Sequence, residues 1–382
     1  MANKLFFISR DANWQLYRNE VLTYFAKKYN YDVTILSTGM LKDYLKENDR
    51  LKYKLFKNLF SHQSKTSFFP GAITYIIKHK PSCVLALNNA TQITEYIACI
   101  LCRILGIKFV WWTHAYDHKP ISNKFKRNVK DAYVKFFLSL GKAIITFSPK
   151  GKQYLIDAGI KKEKIFVAPN TLDTERLLVI NHQVSSQLDK VQFLSEISPL
   201  INKQSKILLF SGRLNIYKKV HNALYALAEI LKRDKNVHLI IIGDGDQKKS
   251  LTEITEQLGI TGNVHFRGYI FEEFEVGKYF KVSDLFIMPG YVGLAIVHSF
   301  CFGLPIITEN INFHSPEIQF LKDGINGYFV QEDNKEEMAN KILDVLHNEN
   351  LLSSLSKNAY ETVLNEASIL NMSAQMYKAI NI

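Results

Sequence analysis

The segment SGRLNIYKK, residues 211–219, sets Arg213 one residue past a strand-ending glycine and puts Lys218 and Lys219 just before a helical pattern. Fixed cations beside a helix N-terminus make an anion site, because unpaired N–H groups and the positive dipole end add to the side-chain charge. Taken alone, the same residues equally describe a solvated basic turn. IIIGDGD, residues 240–246, turns tightly from strand to helix but lacks the third glycine of a dinucleotide fingerprint, which argues against a dehydrogenase. PGYVGLAIVHSFCFGLPIIT, residues 289–308, holds another glycine-rich loop and then an apolar helix carrying one imidazole, His298. In the first third of the chain, WWTHAYDH follows a strand and offers His114 and His118. RDANWQ follows the first strand with Arg10, Asp11, Asn13 and Trp14. Polar groups stand beside an aromatic face there, although Trp14 could instead cap the core.

These residues need elements to hold them. KLFFIS, YDVTILST, CVLALN, KFVWWTH, KAIITFS and KIFVAP are continuous enough to be strands covered on both faces, alternating with helical patterns. Residues 176–203 are polar and irregular, with no clear buried strand, and are expected to be a linker. KILLFSG, VHLIIIG, NVHFRGY, DLFIMPG, LPIIT and GYFV then continue the alternation. Between the first two, Val220, Leu224, Leu227 and Leu231 form one helix face. The expected architecture is α/β, with two doubly wound Rossmann-like domains facing a central cleft. The expected boundaries are 1–175, a linker at 176–203, a second domain at 204–365, and a C-terminal helix at 366–382 returning to the first domain. Ligands of such sheets sit outside the carboxyl ends of the strands.

A chain of 382 residues fits two such cores, and 47% hydrophobic content with mixed charge excludes long disordered tracts. A net charge of +12 favours anionic ligands or anionic membrane surfaces. Nucleic acid is not expected, because no recognised binding module is present. The start MANKLFFISRDANW is not a secretory leader and no run is long enough to span a membrane, so the expected location is cytoplasmic or, alternatively, peripheral on the inner face of the plasma membrane. Cys83, Cys99, Cys102 and Cys301 offer no metal-ligand spacing, and no metal or other cofactor is expected.

From residue 206 to 330 the chain resembles the donor-binding domain of glycosyltransferase family 4, in SGRLNIYKK, IIIGDGD, VHFRGYI, DLFIMPG, GLAIVHSFCFGLPIIT and SPEIQFLKDGINGYFV, in that order. SPKGKQYLIDAGIKKEKIFVAPNTLD resembles the end of the family's first domain. The resemblance implies the GT-B fold and metal-free transfer of a sugar from a nucleoside diphosphate, with retention of configuration. It implies that Arg213 and Lys218 take the charge on the leaving diphosphate, and that His114 lies near the donor sugar. Gly212, Gly243, Asp244, Gly268, Tyr269, Gly290, Gly293, Leu294, His298 and Asn170 fall at donor-binding positions. The family's Glu-x7-Glu motif aligns on Gly290 and His298, so neither carboxylate is present. An imidazole can still hydrogen-bond a ribose, which makes His298 a substituted donor contact, with a core histidine as the alternative.

The family's early glycine-rich loop is absent, leaving Arg10, Asp11, Asn13, Trp14 and His118 as acceptor-side candidates. KYKLFKNLFSHQSK and SNKFKRNVKDAYVKFFLSL interleave cations with aromatics, a pattern that suits either an anionic bilayer or a solvated helix face. The expected function is therefore a retaining glycosyltransferase acting on a glycan or lipid-linked acceptor in bacterial surface polysaccharide or glycolipid synthesis. The alternatives are a nucleotide-sugar epimerase of the same fold and a non-catalytic sugar-binding subunit.

Overall fold

Runs of Ile, Val, Leu and Phe without polar interruption must be covered on both faces, and parallel sheets flanked by helices do this. A computed structural model describes residues 2–11, 16–39, 48–60, 64, 66–89, 91–115 and 124–382, with backbone alone for residues 11, 16–17 and 124–131. The chain divides into two units, Met1–Leu172 with Ile369–Ile382, and Asp173–Ser368.

Among the described residues, the first unit contains strands β1 (Asn3–Asp11), β2 (Tyr31–Thr38), β3 (Leu51–Phe56), β4 (Cys83–Leu87), β5 (Lys108–Thr113), β6 (Ala143–Thr146) and β7 (Ile165–Val167). Its helices are α1 (Leu16–Tyr29), α2 (Pro70–His79), α3 (Ile93–Ile104), α4 (Lys124–Leu140) and α5 (Pro149–Asp157). The sheet order is β3-β2-β1-β4-β5-β6-β7, with all pairs parallel. Helices α2 to α5 cover one face through Ile76, Cys99, Cys102, Leu138 and Leu155. The CILC pair is thus core, and burial pushes the Cys99 and Cys102 thiols up to about 12.

The second unit holds α6 (Thr174–Gln187), α7 (Lys190–Ile197), β8 (Lys206–Ser211), α8 (Val220–Ile230), β9 (Val237–Ile242), α9 (Lys248–Gln257) and β10 (Val264–Gly268). It continues through α10 (Glu273–Val282), β11 (Leu285–Ile287), α11 (Ala295–Cys301), β12 (Ile306–Glu309), β13 (Gly327–Val330), α12 (Lys335–Leu346) and α13 (Glu349–Asn365). Its parallel sheet runs β10-β9-β8-β11-β12-β13. The last helix, α14 (Ile369–Ile380), belongs to the first unit. There Met372, Met376 and Ala379 pack with α1 and with Val110 and Ile145 over the sheet face that α2 to α5 leave bare.

Two local expectations change. The stretch expected to be irregular is helical, because Asp173 and Asp189 each accept backbone N–H bonds that start α6 and α7. The segment KYKLFK begins in an edge strand, β3, rather than on a helix: Leu51 is buried and Phe56 packs on Phe69 and Tyr75. Among the described residues no helix is long and apolar enough to cross a membrane.

Candidate active site

In the second unit, strand order reverses between β8 and β11, which opens a crevice at their carboxyl ends where doubly wound sheets take ligands. The loop after β8 carries Gly212, Arg213 and Lys218, and the loop after β11 carries Gly290, Gly293 and Leu294. The two loops are paired: Gly290 N–H donates to Lys218 O at 3.0 Å and Tyr291 N–H to Tyr217 O at 2.8 Å. A Cβ at Gly290 would lie 2.1 Å from Tyr217 O, so no side chain fits there. The missing first carboxylate is therefore matched by a backbone contact that requires glycine.

Lys218 is the cation this crevice holds most firmly. Its Nζ donates to Tyr291 O at 2.7 Å and lies 5.3 Å from the Tyr291 ring centre. Burial pulls its pKa down to about 8, with the nearby Glu317 charge acting the other way. Arg213 is exposed and makes no ion pair among the described residues. Lys219 does not join them, contrary to the reading of two adjacent cations as one anion site. It adopts a left-handed backbone with φ 49°. This turns its ammonium to Glu309, Glu332 and Asp333 at 3.0, 2.7 and 2.9 Å, which clamps the loop from below.

The glycine turn after β9 supports the same edge. Gly243 takes φ 132°, and a Cβ there would meet Gly212 O at 1.9 Å. Its N–H donates to Gly268 O at 2.7 Å. Asp244 is exposed and accepts from the Gly245 amide at 2.8 Å, while its carbonyl receives Leu214 N–H at 2.9 Å. Past β10, Tyr269 and Phe271 project with 72% and 70% of their surface exposed, offering two flat apolar faces beside the crevice.

His298 sits in the fourth position of α11, its ring stacked on Phe280 with centroids 4.5 Å apart and tilted against Phe302 at 5.7 Å. The residue is only partly buried, yet its ring Nε2 is sealed and has no hydrogen-bond partner. Burial lowers its pKa to about 4, so the imidazole is neutral near pH 7. A cavity of about 430 Å³ lined by Phe280, Lys281, Asp284, Phe302 and Tyr360 opens at the amino ends of β11 and β12, away from the crevice.

The first-unit candidates lie at carboxyl ends of strands: Arg10 and Asp11 close β1, His114 follows β5 and Asn170 follows β7. Arg10 donates to Ser64 O, and Asn170 is buried. His114 is exposed, its ring 4.5 Å from that of Phe147. The Arg18 guanidinium lies 5.1 Å over the Trp112 ring and 5.7 Å over that of Phe147, an arrangement the sequence alone did not suggest. Asn13, Trp14 and His118 lie outside the described residues, as does the side chain of Asp11. His314 and Ser315, in and beside the quoted SPEIQFLKDGINGYFV, also bond the loop after β11, a relation the sequence alone did not suggest.

Two parallel-sheet units with a switch-point crevice define the class. The structure is similar to that of Anabaena HepE in complex with UDP, over 99% of both chains at 16% identity with a TM-score of 0.73, and the fold is GT-B. The profile described as "Glycosyltransferase Family 4" matches residues 20–176 and that described as "Glycosyl transferases group 1" matches residues 193–362, and the chain belongs to glycosyltransferase family 4. An uncharacterized glycosyltransferase of Haemophilus influenzae is 24% identical over 84% of this chain and 83% of its own. The alpha-monoglucosyldiacylglycerol synthase of Acholeplasma laidlawii is 28% identical over 42% of this chain, a stretch spanning only 39% of that relative's length.

Proposed function

We propose that the chain is a retaining, metal-independent hexosyltransferase that moves a sugar from a nucleoside diphosphate to a glycan or lipid-linked acceptor in bacterial surface polysaccharide or glycolipid synthesis. The observation that carries this reading is Lys218, a half-buried ammonium held at a switch point between two glycine loops. Loss of the diphosphate concentrates negative charge on its β-phosphate, and a preorganised cation stabilises that charge more than it stabilises the bound donor. Arg213 is assigned the same charge from the open side. His114 faces the sugar, and Gly212, Gly243, Asp244, Gly268, Tyr269, Gly290, Gly293, Leu294, His298 and Asn170 are donor contacts. The leaving phosphate itself accepts the proton of the acceptor hydroxyl, so no separate carboxylate base is required. Arg10, Asp11, Asn13, Trp14 and His118 receive the acceptor.

The enzyme works at the cytoplasmic face of an anionic membrane in this reading. Support comes from α3, where Ile93, Ile97, Ile100 and Ile104 form one exposed stripe at spacings of four, three and four, Ile104 being 75% exposed. Phe136 of α4 is 56% exposed, and Lys78, Arg103 and Lys135 are exposed on the same helical layer. The Acholeplasma relative, named for a glycolipid product, supports a lipid acceptor.

The test is to incubate the chain in EDTA with UDP-, GDP- and ADP-sugars, with and without a bacterial membrane extract. Release of nucleoside diphosphate that depends on the extract is expected. A sugar isomerised without acceptor would identify an epimerase, and no conversion in any mixture would leave a binding subunit.

A further inference from the structure

Glu317 is a buried carboxylate, 3% exposed, in the short turn Pro316–Phe320 that follows β12. The Ser315 hydroxyl donates to it. The segment before that turn is pinned to the loop after β11: Ser315 N–H donates to Val292 O at 3.1 Å and Val292 N–H donates to His314 Nδ1 at 3.1 Å. His314 donates from Nε2 to Glu309 O at 2.8 Å, which fixes the neutral tautomer that leaves Nδ1 an acceptor. A Cβ built on Gly293 would come within 4.0 Å of the Ser315 Cβ, so glycine leaves this side of the crevice narrow but open. On the other side of the same loop stands Lys218, bonded to Tyr291 O. The Glu317 charge acts on Lys218.

Lys218 at Tyr291 O and the carboxylate that Ser315 ties beside Val292 place a cation and an anion against one loop, a pair that sorts the two ends of a nucleotide sugar. Phosphate oxygens are attracted to Lys218 and repelled from Glu317, whereas sugar hydroxyls donate well to a carboxylate. Gly290 can contribute no side chain to that task, because a Cβ there would strike Tyr217 O. We infer that Glu317 accepts hydroxyls of the transferred sugar and selects which sugar the site takes, with Ser315 holding the carboxylate in place. This rests on the donor-binding reading above. A carboxylate held in a fixed position favours sugars whose hydroxyls reach it over those whose hydroxyls do not.

The experiment is calorimetry on the unmodified chain, Glu317→Gln and Ser315→Ala, with the matched pairs UDP and UDP-glucose, UDP and UDP-N-acetylglucosamine, and GDP and GDP-mannose. For the pair that binds the unmodified chain, Glu317→Gln is expected to hold the free nucleotide within about twofold while the sugar nucleotide weakens about tenfold or more. Ser315→Ala, which keeps the charge, should shift the same ratio in the same direction by less. A ratio unchanged in both variants would overturn the inference, as would equal losses for nucleotide and sugar nucleotide accompanied by a lower melting temperature. If the unmodified chain bound no member of any pair, the donor reading itself would fail and this inference with it.

Discussion

Lys218 Nζ donates to Tyr291 O at 2.7 Å, tying the loop that leaves β8 to the loop that leaves β11 across the point where strand order reverses. One side chain thus both ties the two loops together and supplies a positive charge at the crevice. Its neighbour Lys219 holds the loop but offers no charge to a ligand, since three carboxylates engage it.

The depressed pKa of Lys218 gives a pH dependence with a definite sign. Below about 8 the ammonium is charged and available to phosphate, and above it the charge is lost. The kcat/KM for donor should therefore fall by about tenfold per pH unit on the alkaline side, from an apparent pKa near that value. Lys218→Arg should move this limb beyond pH 10, because a guanidinium stays charged there. A limb that stays put in that variant would assign it to another group.

Gly290 is predicted to resist restoration of the family carboxylate. A Cβ would lie 2.1 Å from Tyr217 O and 2.7 Å from the Lys218 carbonyl carbon. Both Gly290→Ala and Gly290→Glu should lower stability, by roughly 1–3 kcal/mol as the loop pairing opens, and should weaken donor binding together with it. Melting curves beside donor titrations check this. A Gly290→Glu variant as stable as the parent would contradict the geometry.

His298 is predicted to contact the donor through a neutral imidazole. His298→Ala should raise the donor dissociation constant about tenfold, the loss typical of one hydrogen bond of about 1–1.5 kcal/mol. Its stacking on Phe280 makes a core role the specific rival. A lower melting temperature with unchanged affinity of the folded fraction would decide for the core.

Much of this was legible in the sequence because continuous apolar strands leave few alternatives. KILLFSG, VHLIIIG and DLFIMPG form the buried strands β8, β9 and β11, and the glycines after them form the loop edge. The edge strand β3 was not legible, since LKYKLF alternates charge with apolar residues as a surface helix also can. Lys219 was misread because a left-handed backbone at a lysine has no signature in composition. Glu317 and His314 escaped because their relation to Gly293 and Val292 is made by strands that are neighbours in space and distant in sequence.

Membrane contact through α3 predicts co-sedimentation with anionic vesicles that weakens as salt rises, because screening shortens the reach of charge to roughly 10 Å near 0.1 M. Ile97→Asp combined with Ile100→Asp should abolish it while donor turnover with a soluble acceptor persists. Equal binding to neutral and anionic vesicles would remove the electrostatic part of this account.

The most direct measurement is calorimetric titration of the chain and of Lys218→Met with UDP-, GDP- and ADP-sugars. The substitution keeps the length and apolar stem of the side chain and removes its charge. At least one nucleotide sugar should bind the unmodified chain, and Lys218→Met should bind it about tenfold or more weakly, as expected for loss of a charge-assisted contact worth roughly 1.5–3 kcal/mol. Its melting temperature should stay within a few degrees of the parent. Equal affinity in the two proteins, or no nucleotide sugar bound by the unmodified chain, would contradict the account.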